Sequence, residues 1–120
     1  MPDESTVYER EGRIVLVVNG YHDEEAARRC TSAIAEFAGD RTDAELVVDI
    51  THISGFTSDA RRVWAERMRD VSRCVRTMTV VGGTPLARMT GAAVCLYAGI
   101  KMRSAATLKE AFALPLTRAS

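Results

Sequence analysis

The feature that most constrains this chain is a repeated switch between two hydrophobic periods. Three runs, Ile14-Val15-Leu16-Val17-Val18, Glu45-Leu46-Val47-Val48-Asp49-Ile50 and Arg76-Thr77-Met78-Thr79-Val80-Val81, are rich in apolar and β-branched residues and read as strands covered on both faces. Between the first two, Ala26, Ala27, Cys30, Ala33, Ile34 and Phe37 recur at three- and four-residue spacing, opposite Glu24, Glu25, Arg28, Arg29 and Glu36. That pattern predicts an amphipathic helix over Asp23 to Phe37, ended near Gly39. A second helix is predicted over Ala60 to Val71, burying Ala60, Val63, Trp64, Met68 and Val71. Arg61, Arg62, Glu66, Arg69 and Asp70 are left to face water or a partner. Strands alternating with helices imply a mostly parallel sheet with right-handed crossovers.

The flanking segments complete the order. Ser5 to Arg10 and Arg13 to Val18 flank Gly12 and read as a hairpin. Thr51 to Thr57, with Gly55, reads as a loop, and Thr57 or Ser58 can cap the helix that follows. Gly82-Gly83 turns the third strand into a helix capped by Thr84, with Pro85 in its first turn and Leu86, Met89, Ala93, Leu96 and Tyr97 as the expected inner stripe. A short strand around Lys101 to Ser104 leads to Thr107-Leu108-Lys109-Glu110, a capping box opening a last helix with Leu108, Ala111 and Phe112. The expected class is therefore α/β, in the order β-β-α-β-α-β-α-β-α, as a single domain over 1–120 with 116–120 as a frayed tail.

Sixteen Lys and Arg balance sixteen Asp and Glu in 120 residues, so the basic excess used for nucleic acid or anionic membranes is lacking. A protein or a small molecule is the expected partner. Cys30, Cys74 and Cys95 are odd in number and sit in apolar surroundings, which suits reduced core thiols in a cytoplasmic setting. The first residues lack the pattern of a secretory signal, and the apolar stretch Met89 to Ile100 is too short to cross a bilayer, so no transmembrane segment is expected.

Little of the sequence points to catalysis. His22 and His52 sit in loops far apart with no Cys neighbour, which argues against a metal site; His22 is expected to be solvated near a helix cap, and His52 to be a loop residue and not a base. No Gly-x-Ser-x-Gly turn precedes a histidine, and burial raises a thiol's pKa instead of activating it. No cofactor is expected. Gly82, Gly83 and Thr84 lie between a strand and a helix, where free backbone N–H groups can hold an anion; the simpler reading of the same residues is a tight turn.

The segment Ile50 to Arg62 is more informative. A buried strand leads through Ile53 and Phe56 to Thr57-Ser58-Asp59-Ala60 at a helix start, where hydroxyls and a carboxylate serve as caps and can also present charge to another molecule. With the order of elements, this segment resembles the STAS domain of anti-sigma-factor antagonists, including the SpoIIAA-like group. Val48-Asp49-Ile50 matches that family's strand end, and Thr57-Ser58-Asp59-Ala60 falls on its Asp-Ser-Ser-Gly motif.

The resemblance implies a non-enzymatic regulatory domain that binds an anti-sigma, kinase-like or other signalling protein. In the family the second serine of the motif is the phosphoacceptor, and Asp59 stands at that position. Three readings follow: a state resembling the phosphorylated form, use of Ser58 or Thr57 as acceptor, or loss of the switch. The expected partner-binding residues are Thr57, Ser58, Asp59, Arg61, Arg62 and Arg69. The chain also resembles the superfamily's variant branch compared with CRAL-TRIO lipid-binding domains. That resemblance implies a carrier of an apolar small ligand, in a pocket expected to be lined by Met68, Met78, Met89, Met102, Leu96 and Tyr97. The Ser5 to Arg10 edge strand can pair with a second copy, giving a homodimer.

Overall fold

The computed structural model describes residues 5–116. Its elements run β1 (Thr6–Arg10), β2 (Arg13–His22), α1 (Glu24–Ala38), β3 (Ala44–Phe56), α2 (Ser58–Asp70), β4 (Val75–Val81), α3 (Pro85–Ala98), β5 (Lys101–Ala105) and α4 (Leu108–Ala113). This is the order expected from the sequence. One five-stranded sheet has the spatial order β1-β2-β3-β4-β5. β1 is antiparallel to β2, and the remaining neighbours are parallel.

The sheet separates two cores. Because strand side chains alternate in direction, Ile14, Leu16, Leu46, Val48, Met78 and Val80 face one side and pack with residues of α1, α2 and α3. Val15, Val47 and Val81 face the other side, where Ala111, Leu108 and Phe112 of α4 meet them. Coverage on both faces explains why β2, β3 and β4 read as near-continuous apolar runs.

The α4 side also contains polar groups that the apolar pattern did not announce. Glu45 is 3% exposed and Arg13 4%. Arg103 donates to Glu45 Oε1 at 2.6 Å, and Thr77 Oγ1 lies 3.2 Å from the same oxygen. Arg13 donates to the carbonyls of Phe112 and Leu114, and Arg103 donates to that of Pro115 at 2.8 Å. The chain after α4 is thus tied down as far as Pro115; of the tail expected to fray, residues 117–120 lie outside the described residues.

Two local expectations need correction. Thr51 to Phe56 is not a loop: β3 continues through it, with Asn19 opposite His52, Gly20 opposite Ile53, Tyr21 opposite Gly55 and His22 opposite Phe56. Three of its six residues are exposed and its two apolar ones, Ile53 and Phe56, do not alternate, so it lacked a strand period, but pairing with the extension of β2 supplies its backbone hydrogen bonds. The second correction concerns α3. Its buried residues are Ala87, Val94, Cys95 and Ala98, whereas Leu86 (66% exposed), Met89 (69%), Leu96 (85%) and Tyr97 (53%) point outward. The small face packs inward because it allows close approach: a Cβ on Gly91 would lie 3.3 Å from Val80 Cγ2.

Candidate functional site

The start of α2 is built by one residue and displayed by the next two. Thr57 is the N-cap, and its Oγ1 accepts from the Ala60 N–H at 3.0 Å. Its own N–H donates to the His22 carbonyl at 3.1 Å, which ties the cap to the end of β2. Ala60 is 1% exposed and packs with Ala27 and Val63, anchoring the first turn against α1. Ser58 and Asp59 remain exposed. With Thr57 doing the capping, their side chains are left to the surface. Asp59 Oδ1 accepts from Arg62 at 3.1 Å, across one turn of the helix.

The remaining arginines lie elsewhere on α2. Arg61 lines the mouth of a cavity between the sheet and helices α2 and α3. Arg69 sits near the far end, donating to the Tyr97 hydroxyl at 3.1 Å with its guanidinium carbon 5.1 Å from the ring centroid. Thr57, Ser58, Asp59 and Arg62 therefore cluster, while Arg69 belongs to the α2–α3 contact.

Gly82, Gly83 and Thr84 form a compact turn at the carboxyl end of β4. Both glycines have positive φ, and a Cβ on Gly83 would lie 2.5 Å from Ile50 Cδ1. The Gly82 N–H donates to the Ala105 carbonyl at 3.0 Å, and Thr84 Oγ1 accepts from Ala87 N–H at 3.2 Å. The turn's geometry is thus accounted for by contacts within the chain.

The cavity has a volume of about 80 Å³ and an almost wholly apolar wall that includes Val18, Ile50, Phe56, Trp64, Met78 and Val94. Of the six residues expected to line a pocket, only Met78 does so. Met89, Leu96 and Tyr97 lie on the outer face of α3, Met68 is fully buried in the core, and Met102 packs against that core. The lining that sequence reasoning missed includes His22, beside Trp64. His22 is 3% exposed, contrary to the solvated position expected, and its Nε2 accepts from Trp64 Nε1 at 2.9 Å. The signal that could have revealed the space is the set of small residues Ala60, Ala87 and Gly91 opposite large strand residues. His52 is exposed on β3.

The cysteines carry no disulfide; Cys30 and Cys95 are buried and Cys74 is half-buried. Burial pushes the Cys95 thiol up to about 11 from an ordinary value of 9.0. Among the described residues, no group of three His, Cys, Asp or Glu side chains could hold a metal ion. No helix among them is long and apolar enough to cross a membrane.

No protein-family model matches the chain, and no curated protein matches it. Solved structures do. An uncharacterized protein with a SpoIIAA-like fold from Shewanella loihica PV-4 superposes with a TM-score of 0.72 at 10% identity, over 92% of this chain and 91% of that one. The anti-sigma factor antagonist SpoIIAA in its unphosphorylated form gives 0.64 at 19% identity, over 91% and 94%. An anti-sigma factor antagonist from Mycobacterium paratuberculosis gives 0.65 at 20% identity, over 93% and 92%. The chain therefore has a SpoIIAA-like, STAS-type fold.

Proposed function

We propose that this chain is a cytoplasmic, non-enzymatic regulatory domain that binds a signalling protein, anti-sigma or kinase-like in kind, through the start of α2. The observation that carries the reading is the division of labour there: Thr57 caps the helix, so Ser58 and Asp59 can stay on the surface. An exposed pair such as Asp59–Arg62 contributes only about 0–1 kcal/mol to stability. Charge at this turn can therefore serve recognition with little effect on the fold. Asp59 holds a negative charge at the helix N-terminus, where the dipole favours it, and in this reading it substitutes permanently for a phosphorylated side chain. Arg62 extends the same surface, while Arg61 faces the cavity.

The test is binding of purified anti-sigma and kinase-like candidates to the wild type, Asp59→Ser and Arg62→Glu. The expected result is a change of at least tenfold in affinity, about 1.4 kcal/mol, with the melting temperature unmoved. Equal affinity for all three proteins would remove the basis for the proposal.

The apolar wall of the cavity is the observation behind a second reading, a carrier of an apolar ligand; at about 80 Å³ the cavity suits only a ligand far smaller than those of usual pockets, roughly 300–1,000 Å³. Native mass spectrometry distinguishes the two, because a carrier retains a co-purified ligand and a protein switch elutes at the bare chain mass.

A further inference from the structure

Helix α3 is apolar on both sides, and a helix of that kind is normally buried all round. Among the described residues only one side is covered. Leu86, Met89, Leu96 and Tyr97 are each more than half exposed and form one apolar stripe, a kind of surface that is often functional. The stripe extends along a helix of 14 residues, about 21 Å long. Pro85, Ala92 and Ala93 are exposed too and interrupt it with no charge.

Each border of the stripe carries arginine, and among the described residues no carboxylate adjoins it. On the α2 side, Arg61 and Arg69 are exposed and stand in one row with Ala65 at four-residue spacing; Arg61 and Thr90 both line the cavity, and Arg69 binds Tyr97. Asp59, Glu66 and Asp70 lie further round α2. The only charged residue of α3 itself is Arg88. Beyond it lies the edge strand β5, which has no acidic residue; Met102 and Ser104 face this side of the sheet, while Lys101 and Arg103 face the α4 side.

We propose that the outer face of α3 is a docking surface for an amphipathic helix of a partner protein, with an apolar seam and acidic flanks. The inference rests on the protein-binding reading above and deepens it by specifying the partner's chemistry. An apolar seam on the partner covers Leu86, Met89 and Leu96, while its acidic flanks meet Arg61, Arg69 and Arg88. Such a helix would extend the row of helices on this side of the sheet over β5. Charge decides against a second copy, because stripe-to-stripe pairing brings two arginine-bearing borders together. The balanced net charge likewise gives the chain no general attraction to an anionic membrane.

The probes are two designed helical peptides with the same leucine seam, one flanked by Glu and one by Lys, titrated into the full ¹⁵N-labelled chain. The Glu-flanked peptide is expected to shift amides of residues 86–97 and to bind at least tenfold more tightly than the Lys-flanked one. Leu96→Glu should abolish that binding without moving the melting temperature, since the side chain is 85% exposed. Equal binding of both peptides, binding unaffected by Leu96→Glu, or no saturable binding overturns the proposal. So does a dimer in sedimentation that Leu96→Glu dissociates, or sedimentation of the chain with phosphatidylserine vesicles. A partner that depends on Asp59 and is indifferent to Leu96→Glu overturns this inference alone; a partner lost with Leu96→Glu and indifferent to Asp59 overturns only the α2 reading.

Discussion

Trp64 donates its indole N–H to Nε2 of His22 across 2.9 Å, joining α2 to the end of β2 at the wall of the cavity. To accept this bond, Nε2 must be unprotonated. The contact is one of the few polar features of that wall and sits next to Thr57, whose N–H binds the His22 carbonyl. The position of the α2 start thus depends on both the backbone and the side chain of His22.

Trp64→Phe removes the donor and leaves a largely buried Nε2 without that bond. The expected cost is about 1–3 kcal/mol, read by urea denaturation. Amide shifts at Thr57 to Ala60 should accompany the loss. Unchanged stability and unchanged shifts at those residues would show that the pair does not set the turn.

Arg103→Met should be among the more damaging single changes. It strips the 2.6 Å partner from Glu45, a carboxylate only 3% exposed, and also releases the Pro115 carbonyl. Breaking one member of a buried pair costs about 3–5 kcal/mol, a large part of a small domain's stability. Glu45→Met combined with Arg103→Met should recover much of the loss, because the Glu45 carboxylate is then no longer buried without its Arg103 partner. A double variant no more stable than the single one would contradict this account.

Gly83→Ala tests the turn after β4. The new Cβ would sit 2.5 Å from Ile50 Cδ1 at a φ of +84°, so both the side-chain clash and the backbone act against it. A loss of about 2 kcal/mol or more is expected in thermal or urea unfolding. Gly20→Ala is a useful comparison: its φ is +78° but no atom lies within 4 Å, so backbone strain acts alone and a smaller loss is expected.

Thiol labelling should follow burial. Iodoacetamide at pH 8 is expected to modify half-buried Cys74 first, with Cys30 and Cys95 reacting only as the chain opens. Cys95 also predicts a sign for alkaline stability. In the unfolded chain it ionises near 9.0, while in the folded protein it holds its proton to about 11, so the unfolded state binds fewer protons between those values. Stability therefore falls as pH rises from about 9 to 11, and Cys95→Ala should flatten that fall. Identical slopes would mean that Cys95 ionises no differently in the two states.

Much of the architecture was legible in the chain because burial on both sides leaves a plain mark. Ile14 to Val18, Leu46 to Ile50 and Met78 to Val81 could be read as central strands, and α1 and α2 announced themselves by spacing, with Thr57 or Ser58 expected as the α2 cap. The exposed turn at Ser58 and Asp59 was also legible, since short polar residues at a helix start are local chemistry. Other features depended on distant neighbours. Thr51 to Phe56 became strand through pairing with Asn19 to His22, and His22 left solvent because Trp64, far along the chain, closed over it.

Helix α3 marks the boundary most clearly. Its sequence determined a helix with two apolar faces, but periodicity cannot rank two such faces. The sheet chose the small one, Ala87, Gly91, Val94 and Ala98, because a close-packed interior accepts only side chains that fit the available gap. Leu86, Met89, Leu96 and Tyr97 were thereby turned outward, and only the assembled molecule could decide that.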